Sequence, residues 1–307
     1  MGLIHIGKVD LPEHDQQGGF DHATIHFGTN RLYVAHTINN SIDIIDCAAD
    51  RYLASIPDLK GVAGALVSEE RGLVFTSNRG ENTVSIFAAG DEQNMVKVHV
   101  GLRPNGLSFD PQRGLLLAAN VGNPDIPDSF TLSIVDIQKR EMLHSIPTPG
   151  RTRWTIFDAQ RGEFFINISE PAQIIVVAAE HPDCVARTIM IPTTGPHGLD
   201  LDPITGRLFC ACDTSKLITL EAGSGKILDT AELSGPPDVI FFNRWLKHLY
   251  VAIGDPGVID VYDTDTYSRL ETVSTEKGAH TLAFDARYNK VYAFAPQSHC
   301  GLVFSDI

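Results

Sequence analysis

One pattern returns along the whole chain, and a sequence that repeats every forty-odd residues is committed to a repeat architecture before any motif is considered. Each copy reads as a small or proline-containing turn, then a short apolar strand ending in Phe-Asp or a similar pair. A tight turn, a strand of the Leu-Tyr-Val-Ala type, a polar corner and a strand of the Val-Ser-Ile-Val-Asp type follow. The clearest copies run from Pro104 through Leu115–Asn120 to Leu132–Asp136, and from Ala279 through Asp285 to Lys290–Ala295. Apolar and polar residues alternate in short runs punctuated by Gly, Pro, Asn and Asp, which is strand chemistry.

Aligned on the residue that opens the first strand, the copies begin at His22, Ala63, Asn105, Arg153, His197, Asp238 and His280, with spacings of 41, 42, 48, 44, 41 and 42. Length alone would suggest about two domains. The repeat predicts instead one domain over residues 1–307: an all-β, seven-bladed β-propeller of four-stranded antiparallel blades. After His280 only 27 residues remain, enough for three strands. Leu3–Leu11 is similar to the last strand of other units, such as Met95–Val100, and is expected to complete the final blade and close the ring.

The net charge of −14 disfavours phosphate backbones and anionic lipid, so neither nucleic acid nor a membrane is an expected partner. No stretch approaches the roughly 18 apolar residues of a membrane span, and the first residues lack a signal peptide's basic start and apolar run. Five cysteines without framework spacing read as reduced thiols, so a cytoplasmic location is expected.

Phe75-Thr76-Ser77-Asn78 followed by Asn82–Ile86, and Tyr33-Val34-Ala35-His36 followed by Asn40–Asp46, resemble the YVTN-type β-propeller repeat over essentially the whole chain. That resemblance implies the propeller fold and a superfamily that includes lactonases and virginiamycin B lyases. It fixes no activity, because this fold hosts many.

In an antiparallel blade the first strand starts where the second ends, so fourteen positions are expected at one mouth of the central channel. The second-strand ends are His36, Asn78, Asn120, Ile168, Cys212, Ile253 and Ala295. Four of the twelve histidines fall on the fourteen positions, where chance would place about 0.5. His22, His36, His197 and His280 are therefore candidate ligands for a divalent transition metal, Zn, Fe, Mn or Cu. Asp238 is a candidate ligand, orienter or general base.

Arg153 lies across the ring and is suited to the negative end of a small anionic substrate, with Trp154, Asn105, Asn78 and Asn120 as further substrate contacts. Cys212 reads as a small buried hydrophobe rather than a nucleophile, and Cys210 is expected on the opposite strand face.

Lactonases of similar architecture hold a hard divalent metal with Glu, Asn and Asp, and no axial Glu is evident here. Pro196-His197-Gly198-Leu199 is similar to the segment that carries the catalytic His of the virginiamycin B lyases. The Glu expected at the next second-strand end is Cys212 in this chain. The expected function is a metal-dependent enzyme performing hydrolysis or elimination at an ester- or lactone-type carbonyl. The alternatives are Fe- or Cu-dependent redox chemistry at the same histidines, and a non-catalytic propeller binding a peptide or protein.

Overall fold

The computed structural model describes residues 2–16 and 18–307. Strands account for nearly all regular structure; a 3-10 turn, Phe27–Thr29, is the only helical element among the described residues. Six antiparallel four-stranded sheets are contiguous in sequence and form blades 1 to 6: residues 20–56, 62–99, 104–147, 152–190, 196–232 and 237–274. Blade 7 is composite, running outward from Leu282–Asp285 through Lys290–Ala295 and Cys300–Asp306 to Leu3–Asp10. The inner strands touch in sequence around the ring, and the blade 7 inner strand meets that of blade 1. The chain is thus the expected seven-bladed propeller, closed by its amino-terminal strand.

The recurring acidic residue at inner-strand ends has a local cause. Asp110, Asp158, Asp202 and Asp285 each accept, at 2.9–3.0 Å, the backbone N–H two residues on. This Asx turn stops the strand and starts the tight return. Second strands are buried on both faces, as in Leu32–Ala35, so their apolar runs need no alternation.

One feature of the inner strands governs the site. In blades 1 to 6 the pairing with the second strand loses register within the first residues: between Phe20 and Ala23, Val62 and Gly64, Pro104 and Leu107, Thr152 and Thr155, Pro196 and Gly198, and Pro237 and Ile240. His22, Ala63, Asn105, Arg153, His197 and Asp238 all lie inside these breaks. A bulge re-aims the side chain it contains. The second-strand ends instead pair with the residue before each break, as in Phe20↔His36 and Pro196↔Cys212. The seven second-strand ends are fully or almost fully buried within the blades. They do not join the inner-strand residues at the mouth, because the bulge turns the two sets apart.

Glycine follows three of the aligned positions. A Cβ on Gly64 would lie 2.3 Å from the Asn105 carbonyl oxygen, one on Gly106 2.6 Å from that of Arg153, and one on Gly198 2.4 Å from that of Asp238. Neighbouring inner strands approach closer than any side chain permits. Gly198→Ala is expected to lower stability by about 1–3 kcal/mol through overpacking. The denaturant midpoint checks this, with Gly7→Ala as a near-neutral control because nothing lies within 4 Å of its Cβ.

Candidate functional site at the channel mouth

A cavity of about 420 Å³ is lined by the inner strands of blades 1 to 6 and therefore lies on the propeller axis. Trp154 of blade 4 reaches across that axis. Its ring centroid is 4.1 Å from that of His22 in blade 1 and 6.5 Å from that of Phe241 in blade 6.

Above the indole, His197 is bracketed by two carboxylates: Nδ1 is 2.7 Å from Asp213 Oδ1 and Nε2 is 3.2 Å from Asp238 Oδ1. Burial opposes protonation of this ring. The Asp238 charge and the bonds to Asp213 and Asp238 outweigh it, and the pKa is pushed up to about 9. Arg153 Nη1 lies 3.1 Å from the same Nε2, and its Nη2 is 3.2 Å from Asp213 Oδ2. The two neighbours of Nε2 ask for opposite states, since Asp238 attracts a proton there and Arg153 donates to a lone pair.

Asp238 is the centre of the arc. Despite burial, the charges of His197, His280 and His22 hold its carboxyl well below the ordinary carboxylate range. His280 Nδ1 donates to the Gly278 carbonyl at 2.8 Å, and its Nε2 lies 3.9 Å from Asp238 Oδ2. Burial lowers the His22 pKa against the opposing charges of Asp21 and Asp238, and its Nε2 lies 3.3 Å from Asp21 Oδ1.

The opposite side of the mouth is cationic. Burial, and then the charges of Arg153, Arg79 and Arg103, hold the Arg151 pKa below the ordinary guanidinium value. Four arginines from blades 2 to 4 therefore share one neighbourhood in a chain of net charge −14. Arg79 Nη2 meets Asp21 Oδ2 at 3.2 Å. The Nε atoms of Arg79 and Arg153 and the Oδ1 of Asn105 are buried without hydrogen-bond partners. Unpaired buried donors are costly and call for an acceptor.

The structure thus brings together His22, His197, His280, Asp238, Arg153 and Trp154. Of the other four expected residues, Asn105 is buried with its Oδ1 unpartnered, and Asn78, Asn120 and His36 turn into the blades. Asn78 Nδ2 donates to Thr83 Oγ1 and Ser85 Oγ at 3.0 and 2.9 Å, and Asn120 Nδ2 to Thr131 Oγ1 and Ser133 Oγ at 2.9 and 3.0 Å. Both side chains tie the second strand of a blade to its third, so substrate contact by Asn78 and Asn120 is corrected.

His36 is likewise removed from the axial ligand set. It is fully buried, with Nδ1 2.7 Å from Asp43 Oδ2 and Nε2 2.9 Å from His14 Nδ1. His14 Nδ1 is in turn 3.3 Å from His299 Nδ1. Burial, then the charges of His36 and His299, hold the His14 pKa down.

Cys212 is core, as expected, but Cys210 shares its face. Their sulfurs are 3.9 Å apart, because residues two apart on a strand point the same way.

Asp21, Arg79 and Asp213 were missed. Arg79 and Asp213 stand one residue beyond the second-strand ends Asn78 and Cys212, so moving the aligned column by one would have found them. Among the described residues, no three His, Cys, Asp or Glu side chains stand posed around an ion-sized gap.

No family model and no curated protein matches this chain. Among solved structures it is similar to Kuenenia stuttgartiensis hydrazine synthase, with a TM-score of 0.83 and 14% identity over 96% of this chain and 97% of that one. It is also similar to a chain from the crystal structure of the mitotic checkpoint complex, with a TM-score of 0.82 and 10% identity over 99% of this chain and 92% of that one. The chain has the seven-bladed propeller fold. At these identities the likeness is of fold alone, and one architecture carried by proteins so differently named leaves function to the site. No helix among the described residues is long and apolar enough to cross a membrane.

Proposed function

We propose that the channel mouth is the active site of a metal-dependent enzyme acting on a small anionic substrate, by hydrolysis or elimination at an ester- or lactone-type carbonyl. The observation that carries this reading is the pose of two imidazoles. The Nε2 atoms of His197 and His280 both face Asp238, while Asp213 and the Gly278 carbonyl hold their Nδ1 atoms. Metal-ligating histidines are oriented by such outer partners. His197, His280 and Asp238, with His22 beside them, are a donor set suited to Zn, Fe, Mn or Cu. A divalent ion held there would polarise a substrate oxygen.

The chain's own residues do the rest. Arg153, supported by Arg79, Arg103 and Arg151, takes the negative end of the substrate, and the buried unpaired Nε atoms of Arg79 and Arg153 supply donors for it. The Trp154 indole spans the channel between His22 and Phe241. The YVTN-type resemblance supports a hydrolase or lyase on this scaffold.

Elemental analysis of protein purified without added metal tests the reading, with His197→Ala and His280→Ala alongside. Each variant is expected to lose one metal equivalent; wild-type metal that is substoichiometric and unmoved by either substitution sinks the proposal. Arg153→Ala is expected to weaken oxalate binding by about 10- to 100-fold, the loss of a charge-assisted hydrogen-bonding partner. Isothermal titration reads that change.

A further inference from the structure

We infer that His14, His36 and His299 form a second metal site, separate from the axial arc, that takes a borderline divalent cation of the Zn²⁺ class on three imidazole nitrogens. His14 lies on the connection between the closing strand Leu3–Asp10 and blade 1, His36 ends the second strand of blade 1, and His299 sits in the turn before Cys300–Asp306 of blade 7. The site therefore pins the seam where the ring closes.

Three observations carry it. First, two imidazole nitrogens stand close to a third: His14 Nδ1 is 2.9 Å from His36 Nε2 and 3.3 Å from His299 Nδ1. Tetrahedral Zn with Zn–N bonds of 2.0–2.1 Å has ligand nitrogens about 3.3 Å apart.

Second, the donor count fits. Asp43 Oδ2 lies 2.7 Å from His36 Nδ1, which must carry the proton there because a bare nitrogen would repel the carboxylate. His36 Nε2 is then a lone pair aimed at His14. Two N–H groups cannot face each other across the 3.3 Å between His14 and His299, so at least two of the three nitrogens present lone pairs. A cation satisfies all three at once.

Third, the outer partner is in place. A buried carboxylate behind a ligating imidazole is the arrangement that fixes tautomer and ring direction in metal sites, and His36 and Asp43 are both fully buried. As they stand, the rings touch rather than surround a gap. His14 itself lies outside any strand and its ring is half-buried, so a modest withdrawal opens the space. The open side faces a groove of about 740 Å³ lined by His14, Asp15, Lys277, His280, Gln297 and His299. Three protein ligands with one accessible position is the open form of a zinc centre.

The test titrates chelator-stripped full-length protein with Zn²⁺ against a chromophoric chelator, and with Co²⁺ read by its visible ligand-field bands. The variants are the double substitution His14→Ala/His299→Ala and the axial His197→Ala. The double variant is expected to lose one Zn²⁺ equivalent, and to weaken Co²⁺ binding at that site at least about tenfold, while His197→Ala retains it. If the double variant binds as much metal as the wild type, the inference is overturned whatever His197→Ala does. Metal lost only in the double variant upholds this site and overturns the axial one; metal lost only in His197→Ala does the reverse. Should the double variant fail to fold, His14→Ala alone, outside any strand, gives the same readout.

Discussion

A chain lacking residues Gly2–Leu11 is expected to lose most of its stability, with a denaturant midpoint lowered by the equivalent of about 5 kcal/mol or more, or to be recovered only as aggregate. The strand Leu3–Asp10 is the outer member of blade 7 and pairs from Leu3↔Asp306 to Asp10↔Cys300. Leu3, Val9 and Leu11 are buried, and each such side chain contributes roughly 1.5–3 kcal/mol. Its removal also strips the backbone partners from Cys300–Asp306, converting a covered strand into a free edge of the kind that templates association. Chemical denaturation with size-exclusion chromatography measures both consequences. A truncated chain that stays monomeric with an unchanged midpoint would show that blade 7 holds as three strands. Adding the missing segment as a peptide is expected to restore part of the loss, because the closing strand is held by non-covalent pairing alone.

The second large effect is a fall in stability with rising pH. In metal-free protein the pKa of His197 is pushed up to about 9 from an ordinary 6.5, by Asp238 and Asp213 against the opposition of burial and of Arg153. A group whose folded pKa exceeds its unfolded value stabilises fully below the lower value, and that contribution disappears as pH rises through the higher one. The wild type is therefore expected to lose up to about 3 kcal/mol between pH 6.5 and 9 from this group. His197→Gln removes that slope, so the difference in unfolding free energy between the two proteins should shrink across the window. Asp238→Asn removes the largest raising influence, and the His197 imidazole, followed by NMR, is then expected to titrate at distinctly lower pH. A wild type whose His197 titrates near 6.5 would contradict the bracketed imidazolium.

Much of the site was legible because inner-strand openings recur at fixed spacing. His22, His197, Asp238 and His280 fell on consecutive blades once the ring was closed, whereas Arg153, expected across the ring from them, stands against His197 from the neighbouring blade. The residues that misled were those whose direction depends on the bulge. His36, Asn78 and Asn120 occupy aligned positions too, but they pair with the residue before the break and turn into the blade. Asp213 and Arg79 reach the mouth from one residue further on, where no feature of composition separates them from ordinary corner residues.

The sequence by itself determined the number of blades, the strand order and the composite seventh sheet, because these follow from a period of about 42 residues and from 27 residues left over after the last unit. Local alternation and Asx turns are short-range physics, and they can be read along one strand. Only the tertiary structure decided which side chains share a site. A register break of one or two residues sends neighbouring side chains to opposite sides of a strand. It separated His36 from the axial histidines and placed it with His14 and His299, which lie 285 positions apart in the chain and meet only because the ring closes.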